Sequence, residues 1–346
     1  MTESHLQNLI MAQRHGNLFA SIVDSGNLSE AHARARKGKS AMSNVIDFDR
    51  DIEGNLKRVR QSLMDKTFTT SKYQEKLIHV PKTRTIYVLP FKPDRIVQHA
   101  LMRVVEPIWD RLMISDSYAC RTGKGQHTAS RRTMEFVRQY KYYLQADISK
   151  FYPSIDQAIL ADIVRQKIKC KDTLWLIDDI IYSFPGEKNV PIGNYTSQWF
   201  GNLYLHELDR TVKHVYKIPA YLRYCDDFCL FSNDKRQLQE LKETIREFLA
   251  EKLKLTYSFA EVFPTKHGVD FLGYRHFPKG YILLRKSTAQ RVKRRLKLLP
   301  KLLALGKVTP EQYRSSLAST RGWLKWANTH NLQVATCLDR LEGKLK

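Results

Sequence analysis

Three aspartates carry the chemistry this sequence offers most directly. Asp226 and Asp227 sit side by side in AYLRYCDDFCLFS (220–232), between two β-rich arms, and Asp147 follows an apolar run in YYLQADISKFYPSID (142–156). A carboxylate in apolar surroundings is costly unless it is paired or binds a metal. Hard divalent cations such as Mg²⁺ take carboxylate oxygens together with substrate phosphates. Two such ions about 3.5–4 Å apart activate an attacking hydroxyl and stabilise a leaving pyrophosphate. Three carboxylates on adjacent strands supply that pair. A lone Asp-Asp is otherwise an ordinary hairpin turn; the apolar arms and the upstream Asp147 favour catalysis here.

The elements that must hold these acids read as α+β, an antiparallel sheet backed by helices. Residues 17–70 look helical, with apolar positions near i, i+4 and i+8 in FDRDIEGNLKRVRQSLMD. KLIHVPKTRTIYVLP (76–90) alternates about a Pro-Lys-Thr turn and predicts a β-hairpin. DRIVQHALMRVVEPIWDRL (94–112) has helix periodicity, with Asp94 as N-cap and Pro107 as an interruption. IDQAILADIVRQKI predicts a helix, and NVPIGNYTSQWFGNLYLHELDRTVKH a Pro-Gly turn leading into a long one. KRQLQELKETIREFLAEKLKL reads as a surface helix, with strands at LTYSFA and VDFLGYRHF. From Lys286 onward the chain is basic and helical, which sets a soft boundary near 277–286.

Lys and Arg number 58 against 35 Asp and Glu, a formal net charge of +23. Such a balance suggests a polyanionic partner, because bound phosphates release counterions. In that context the substrate phosphates are those of a nucleotide and a polynucleotide. The five cysteines (Cys120, Cys170, Cys225, Cys229, Cys337) form no CxxC pair and fit a reducing compartment, with Cys225 and Cys229 read as core. The histidines show no zinc arrangement. No apolar leader and no bilayer-spanning stretch is seen, so the expectation is a cytoplasmic protein.

At these residues the sequence resembles the reverse transcriptase family. QADISKFYPSID resembles the motif with the first catalytic Asp, and YLRYCDDF the YxDD box. FKPDRIVQHAL and YACRTGKGQHTA resemble the two fingers motifs, FLGY (271–274) the motif after the YxDD hairpin, and YILLRKST the start of the thumb. The match runs in order from about residue 76 to the C-terminus. Within the family, PIGNYTSQ (191–198) and WANTHNLQ (326–333) resemble the reverse transcriptases of diversity-generating retroelements, from prokaryotes or phages. Most reverse transcriptases place Gln before this Gly, where Ile192 stands here; Ser197 and Gln198 complete the IGxxxSQ signature. Ile192 as ordinary turn packing in a group II-like, retron or defence-associated enzyme is the alternative. A non-catalytic RNA-binding protein of polymerase fold is the reading from another class, and the intact aspartates argue against it.

The resemblance implies a right-hand fold: fingers over 1–122 (with an N-terminal helical extension) and 155–196, palm over 123–154 and 197–277, thumb over 278–346. It implies two Mg²⁺ ions, with Mn²⁺ able to substitute, held by Asp147, the backbone carbonyl of Ile148, Asp226 and Asp227. It further implies dNTPs, a template RNA, an RNA–cDNA duplex, and a small basic helical accessory protein that forms a ring. Errors would fall at template adenines, and the cDNA would diversify a target gene. Tyr152 takes the position of the aromatic gate beneath the incoming sugar, against an ordinary core aromatic. Ile192 packs beside the incoming nucleotide, and Lys82 and Arg84 hold the triphosphate, against a solvated turn. Arg121 and Lys124 track template phosphates, with Ser197 and Gln198 on the same template–primer side; Arg95 is either structural or near the template. Arg285, Lys286, Arg291, Arg294 and Arg295 grip the duplex, against a solvated face. Trp323 and Trp326 read as thumb core rather than base-stacking platforms.

Overall fold

The computed structural model describes residues 14–79 and 83–343. The helical start expected from the sequence divides into α1 (Phe19–Ile22), α2 (Ser25–Arg36), α3 (Ser43–Asp49) and α4 (Ile52–Met64). Asp24 and Asp51 break it, each accepting a backbone N–H at the next helix start, from Asn27 at 3.0 Å and from Gly54 at 2.9 Å. Such caps satisfy amides that have no partner inside the helix. On α4 the buried Asn55, Val59 and Leu63 recur every four residues.

The hairpin is β1 (Gln74–Ile78) with β2 (Arg84–Val88), antiparallel with Ile78 opposite Arg84. A kinked turn, Phe91–Arg95, with Lys92 in an extended conformation, leads into α5 (Ile96–Leu112). Two expectations are corrected here. Asp94 does not cap α5: it is buried in the turn and accepts the Ser71 N–H at 2.8 Å. Nor does Pro107 interrupt α5. The helix continues past the lost N–H because Val105, Ile108 and Trp109 bury its face.

Then follow α6 (Gln126–Gln139), β3 (Tyr142–Ile148), α7 (Phe151–Ser154), α8 (Gln157–Arg165), α9 (Lys171–Ile181) and α10 (Tyr195–Arg210). Next come β4 (Tyr221–Tyr224), β5 (Asp227–Ser232), α11 (Lys235–Leu253), β6 (Tyr257–Pro264), β7 (Val269–Phe271), β8 (Tyr274–His276) and β9 (Ile282–Leu284). The C-terminal helices are α12 (Lys286–Ala304), α13 (Pro310–Leu324), α14 (His330–Ala335) and α15 (Leu338–Gly343). The fold is α+β, as expected. One sheet has the order β4-β5-β3-β6 and another β7-β8-β9. The second sheet gains a third strand, Ile282–Leu284, where the sequence alone points only to the start of the thumb. Leu272 and Gly273 turn β7 into β8, both with positive φ (56° and 80°), the twist a two-residue hairpin needs.

The described residues fall into two compact units. One lies within Met1–Cys120, Asp147–Lys217 and Thr244–Phe259, the other within Arg121–Ala146, Ile218–Glu243 and Ala260–Lys346. In the first, α5 and α10 supply a core where Trp109 meets Phe200 with ring centres 6.1 Å apart. In the second, Phe136, Tyr143 and Phe231 pack under the sheet. Its C-terminal helices close around Leu296, Leu299, Tyr313, Leu317, Leu324 and Leu338. Among the described residues no helix is long and apolar enough to cross a membrane.

Candidate active site

Asp226 and Asp227 stand at the bend between β4 and β5. Tyr224 pairs with Asp227 across the hairpin, leaving Cys225 and Asp226 as its two turn residues. Cys225 has φ +54°, a conformation L-residues adopt at a cost. The side chain of Arg223, fully buried, donates to the Cys225 carbonyl at 2.9 Å and holds that bend. Cys229 is core, as expected, whereas Cys225 is only partly buried. Complete burial pushes the Cys229 thiol well up, with the Asp227 carboxylate adding to it.

Asp147 is the penultimate residue of β3. The residue before it, Ala146, pairs with Phe228, the residue after Asp227. The Asp147 carboxylate accepts a hydrogen bond from the Ser258 hydroxyl, which also lies 3.3 Å from the Asp147 carbonyl. Ser149 N–H donates to the Thr256 carbonyl at 2.8 Å, fixing the chain beyond the buried Ile148. Asp147, Asp226 and Asp227 are all half-buried. Among the described residues no three His, Cys, Asp or Glu side chains stand close enough to hold an ion as they are. Their chemistry as donors, hard carboxylate oxygens reachable from solvent, is that which Mg²⁺ takes.

Tyr152 and Ile192 belong to the first unit, where one loop links them. Val190 N–H donates to the Tyr152 carbonyl, and Tyr87 N–H on β2 donates to the Ile192 carbonyl, each at 3.0 Å. Gly193 has φ +123°, and a Cβ there would lie 2.8 Å from the Tyr87 carbonyl oxygen, so only glycine fits. The ring of Tyr152 lies over Gly201 on α10, where an added Cβ would come within 3.2 Å of it. Ser197 is buried, and its hydroxyl donates to the Pro191 carbonyl at 2.7 Å, closing this loop; Gln198 is exposed.

Arg84 is exposed at the start of β2, and Lys82 lies outside the described residues. Arg95 is half-buried, with its pKa drawn down by burial. Arg121 and Lys124 lie in the turn before α6, where Lys124 N–H donates to the Arg121 carbonyl at 3.2 Å. Arg285 pairs with Asp270 at 2.6 Å. Lys286, Arg291, Arg294 and Arg295 are exposed on α12, and Arg295 donates to the Ser316 hydroxyl at 2.8 and 3.1 Å. Trp323 and Trp326 are half-buried and stack on neighbouring rings rather than filling the core of the C-terminal helices. Trp326 stacks on His127 with centres 4.1 Å apart, and Trp323 on Tyr274 at 4.9 Å. Sequence reading missed Arg223 and Ser258. An arginine inside an apolar strand arm was the available signal for the first; nothing in the sequence marks the second.

A model of the family described as reverse transcriptase (RNA-dependent DNA polymerase) matches residues 73–276. Protein YkfC of Escherichia coli K12 is 25% identical over 235 residues, covering 54% of this chain and 61% of YkfC. The group II intron-encoded protein LtrA of Lactococcus lactis is 21% identical over 320 residues, covering 69% of this chain and 53% of LtrA. The chain thus spans little more than half the length of these curated relatives. Among solved structures, apo telomerase from Candida tropicalis aligns with a TM-score of 0.49 at 12% identity, over 71% of this chain and 57% of that one.

Proposed function

The chain belongs to the reverse transcriptase (RNA-dependent DNA polymerase) family, and from that premise we propose that it copies an RNA template into DNA with Asp147, Asp226 and Asp227 as its catalytic carboxylates. The observation that carries this reading is the register of the central strands. Ala146, the residue before Asp147, pairs with Phe228, the residue after Asp227, and Tyr224 pairs with Asp227 across the bend that carries Asp226. In the reaction the 3′-hydroxyl of the growing strand attacks the α-phosphorus of a dNTP. One P–O bond forms as the bond to pyrophosphate breaks. Two bound divalent ions would supply the charge that activates the hydroxyl and steadies the leaving group. The carboxylates would hold those ions together with the Ile148 carbonyl. Ser258 orients the Asp147 carboxylate, and Arg223 sets the bend that presents Asp226. Tyr152 lies beneath the sugar and excludes a 2′-hydroxyl; Arg84 and Lys82 receive the triphosphate. Residues 1–122 and 155–196 serve as fingers, 123–154 and 197–277 as palm, and 278–346 as thumb. The test is primer extension on an RNA template with Mg²⁺, in which Asp147→Asn or Asp226→Asn stops synthesis while the fold persists.

The finer reading is a diversity-generating retroelement enzyme, working with a basic helical accessory protein and making errors at template adenines. Ile192 in PIGNYTSQ supports it. The match to an intron-encoded protein favours a group II-like enzyme as the second reading. Sequencing cDNA made on one defined RNA separates them: errors concentrated at adenine support the first, and an even spectrum the second.

A further inference from the structure

Besides the Ser197 hydroxyl on the Pro191 carbonyl and Asn189 N–H on the Ile155 carbonyl, three further ties hold the loop that carries Ile192. Its start is held by Val190 N–H on the Tyr152 carbonyl, and its middle by Tyr87 N–H on the Ile192 carbonyl. The third tie uses side chains. Asn194, nearly fully buried, donates from Nδ2 to the Tyr73 hydroxyl at 3.0 Å. The Tyr73 hydroxyl lies 2.9 Å from Ser183 Oγ, and Ser183 Oγ lies 2.7 Å from the Ile180 carbonyl. A carbonyl only accepts, so the Ser183 proton goes to Ile180 and the Tyr73 proton to Ser183. The Tyr73 oxygen is then left to accept from Asn194. Each hydroxyl hydrogen in this chain has one assignment, and the chain runs one way from the Ile192 loop to the end of α9.

Tyr73 stands immediately before β1, and its ring packs against Phe184 and Tyr87, with centres at 5.7 and 6.3 Å. Burial raises its pKa, so the phenol keeps the proton that the chain requires. Tyr87 belongs to β2, the strand that begins at Arg84. Tyr73 therefore braces the Ile192 loop through its hydroxyl and the hairpin through its ring. A hydrogen-bonded brace of this kind fixes a group that itself makes no polar contact, since Ile192 offers only an apolar surface.

We infer that Tyr73 and Asn194 are positioning residues for nucleotide selection, acting through Ile192. The inference rests on the reading of Ile192 as part of the nucleotide pocket. The experiment is single-nucleotide extension on RNA by the full chain and by Tyr73→Phe, Asn194→Ala, their double variant, and Ile192→Gln. Melting curves accompany the kinetics. Tyr73→Phe keeps the ring and removes only the hydroxyl. The expected result is a rise of about fivefold to tenfold in KM for the correct dNTP, the effect of one lost polar contact, with kcat within about twofold and altered discrimination between correct and wrong dNTPs. The double variant should be no worse than Tyr73→Phe, because both changes break one chain. A fall in kcat with KM unchanged would mark Tyr73 as merely structural and overturn the inference. If Ile192→Gln alters discrimination and a folded Tyr73→Phe leaves KM and discrimination as they were, the brace is refuted while the pocket stands. If neither changes discrimination, the pocket reading itself fails, and the brace with it.

Discussion

At the scale of single residues, burial and hydrogen bonding separate working side chains from filler. Tyr152 packs on a glycine of α10, and its backbone anchors the Ile192 loop, so its ring is held in place. Tyr152→Ala is expected to admit ribonucleotides: the ratio of dNTP to rNTP incorporation falls at least tenfold in single-nucleotide extension. An unaltered ratio would make Tyr152 a core aromatic. Arg223 was hidden in plain sight, a cation in an apolar strand arm, and only the fold shows that it reaches Cys225. Replacing it with Leu removes a charged donor from a partly buried carbonyl, a change worth about 1.5–3 kcal/mol. Denaturant titration should show that loss, and primer extension a larger one, because the bend carrying Asp226 is no longer set. Ser258 could not be found from sequence at all: a serine on a strand gives no sign of which carboxylate it faces.

At the scale of elements, the sequence announced most strands and helices by period, and missed where tertiary packing overrode a local rule. Pro107 is an example: the apolar face of α5 outweighs one lost backbone hydrogen bond. Asp94 is another, because its carboxylate is more useful to Ser71 than to the helix start. Two elements also carry histidines kept neutral. Burial draws the His276 pKa from 6.5 to about 4, while its ring nitrogens bond Ser130 and Val269. His99 is likewise at about 4, through burial and then the charges of Lys39, Arg95 and Arg34. The unfolded chain takes up protons that these rings refuse. Their contribution to stability is therefore intact above about pH 6.5 and is lost as the pH falls toward 4. Melting temperature should drop across that window, and less steeply in His276→Gln; equal slopes would refute the assignment to His276. On α12 the exposed Arg291, Arg294 and Arg295 were legible as a basic run, but a run does not say what it grips. Neutralising all three should flatten the dependence of RNA affinity on salt by up to about three phosphate contacts, read by binding titrations at several salt concentrations.

At the scale of the whole molecule, a net charge of +23 and three strand-end aspartates pose one question: whether this chain joins nucleotides on a nucleic acid, and on which template. The family match covers the stretch that holds all three acids. The order of motifs was readable because each joins a chemical residue to a local turn or strand signal. The hydrogen-bond chain from Asn194 to Ile180 was not, since its members lie up to 121 residues apart in sequence. The most direct test is extension of a DNA primer on an RNA of known sequence, with Mg²⁺ and all four dNTPs, by the wild-type chain and by folded Asp226→Asn. The expected result is cDNA whose sequence follows the RNA, made by the wild type and absent from the variant. Equal synthesis by both proteins, or product that ignores the template, would contradict the account.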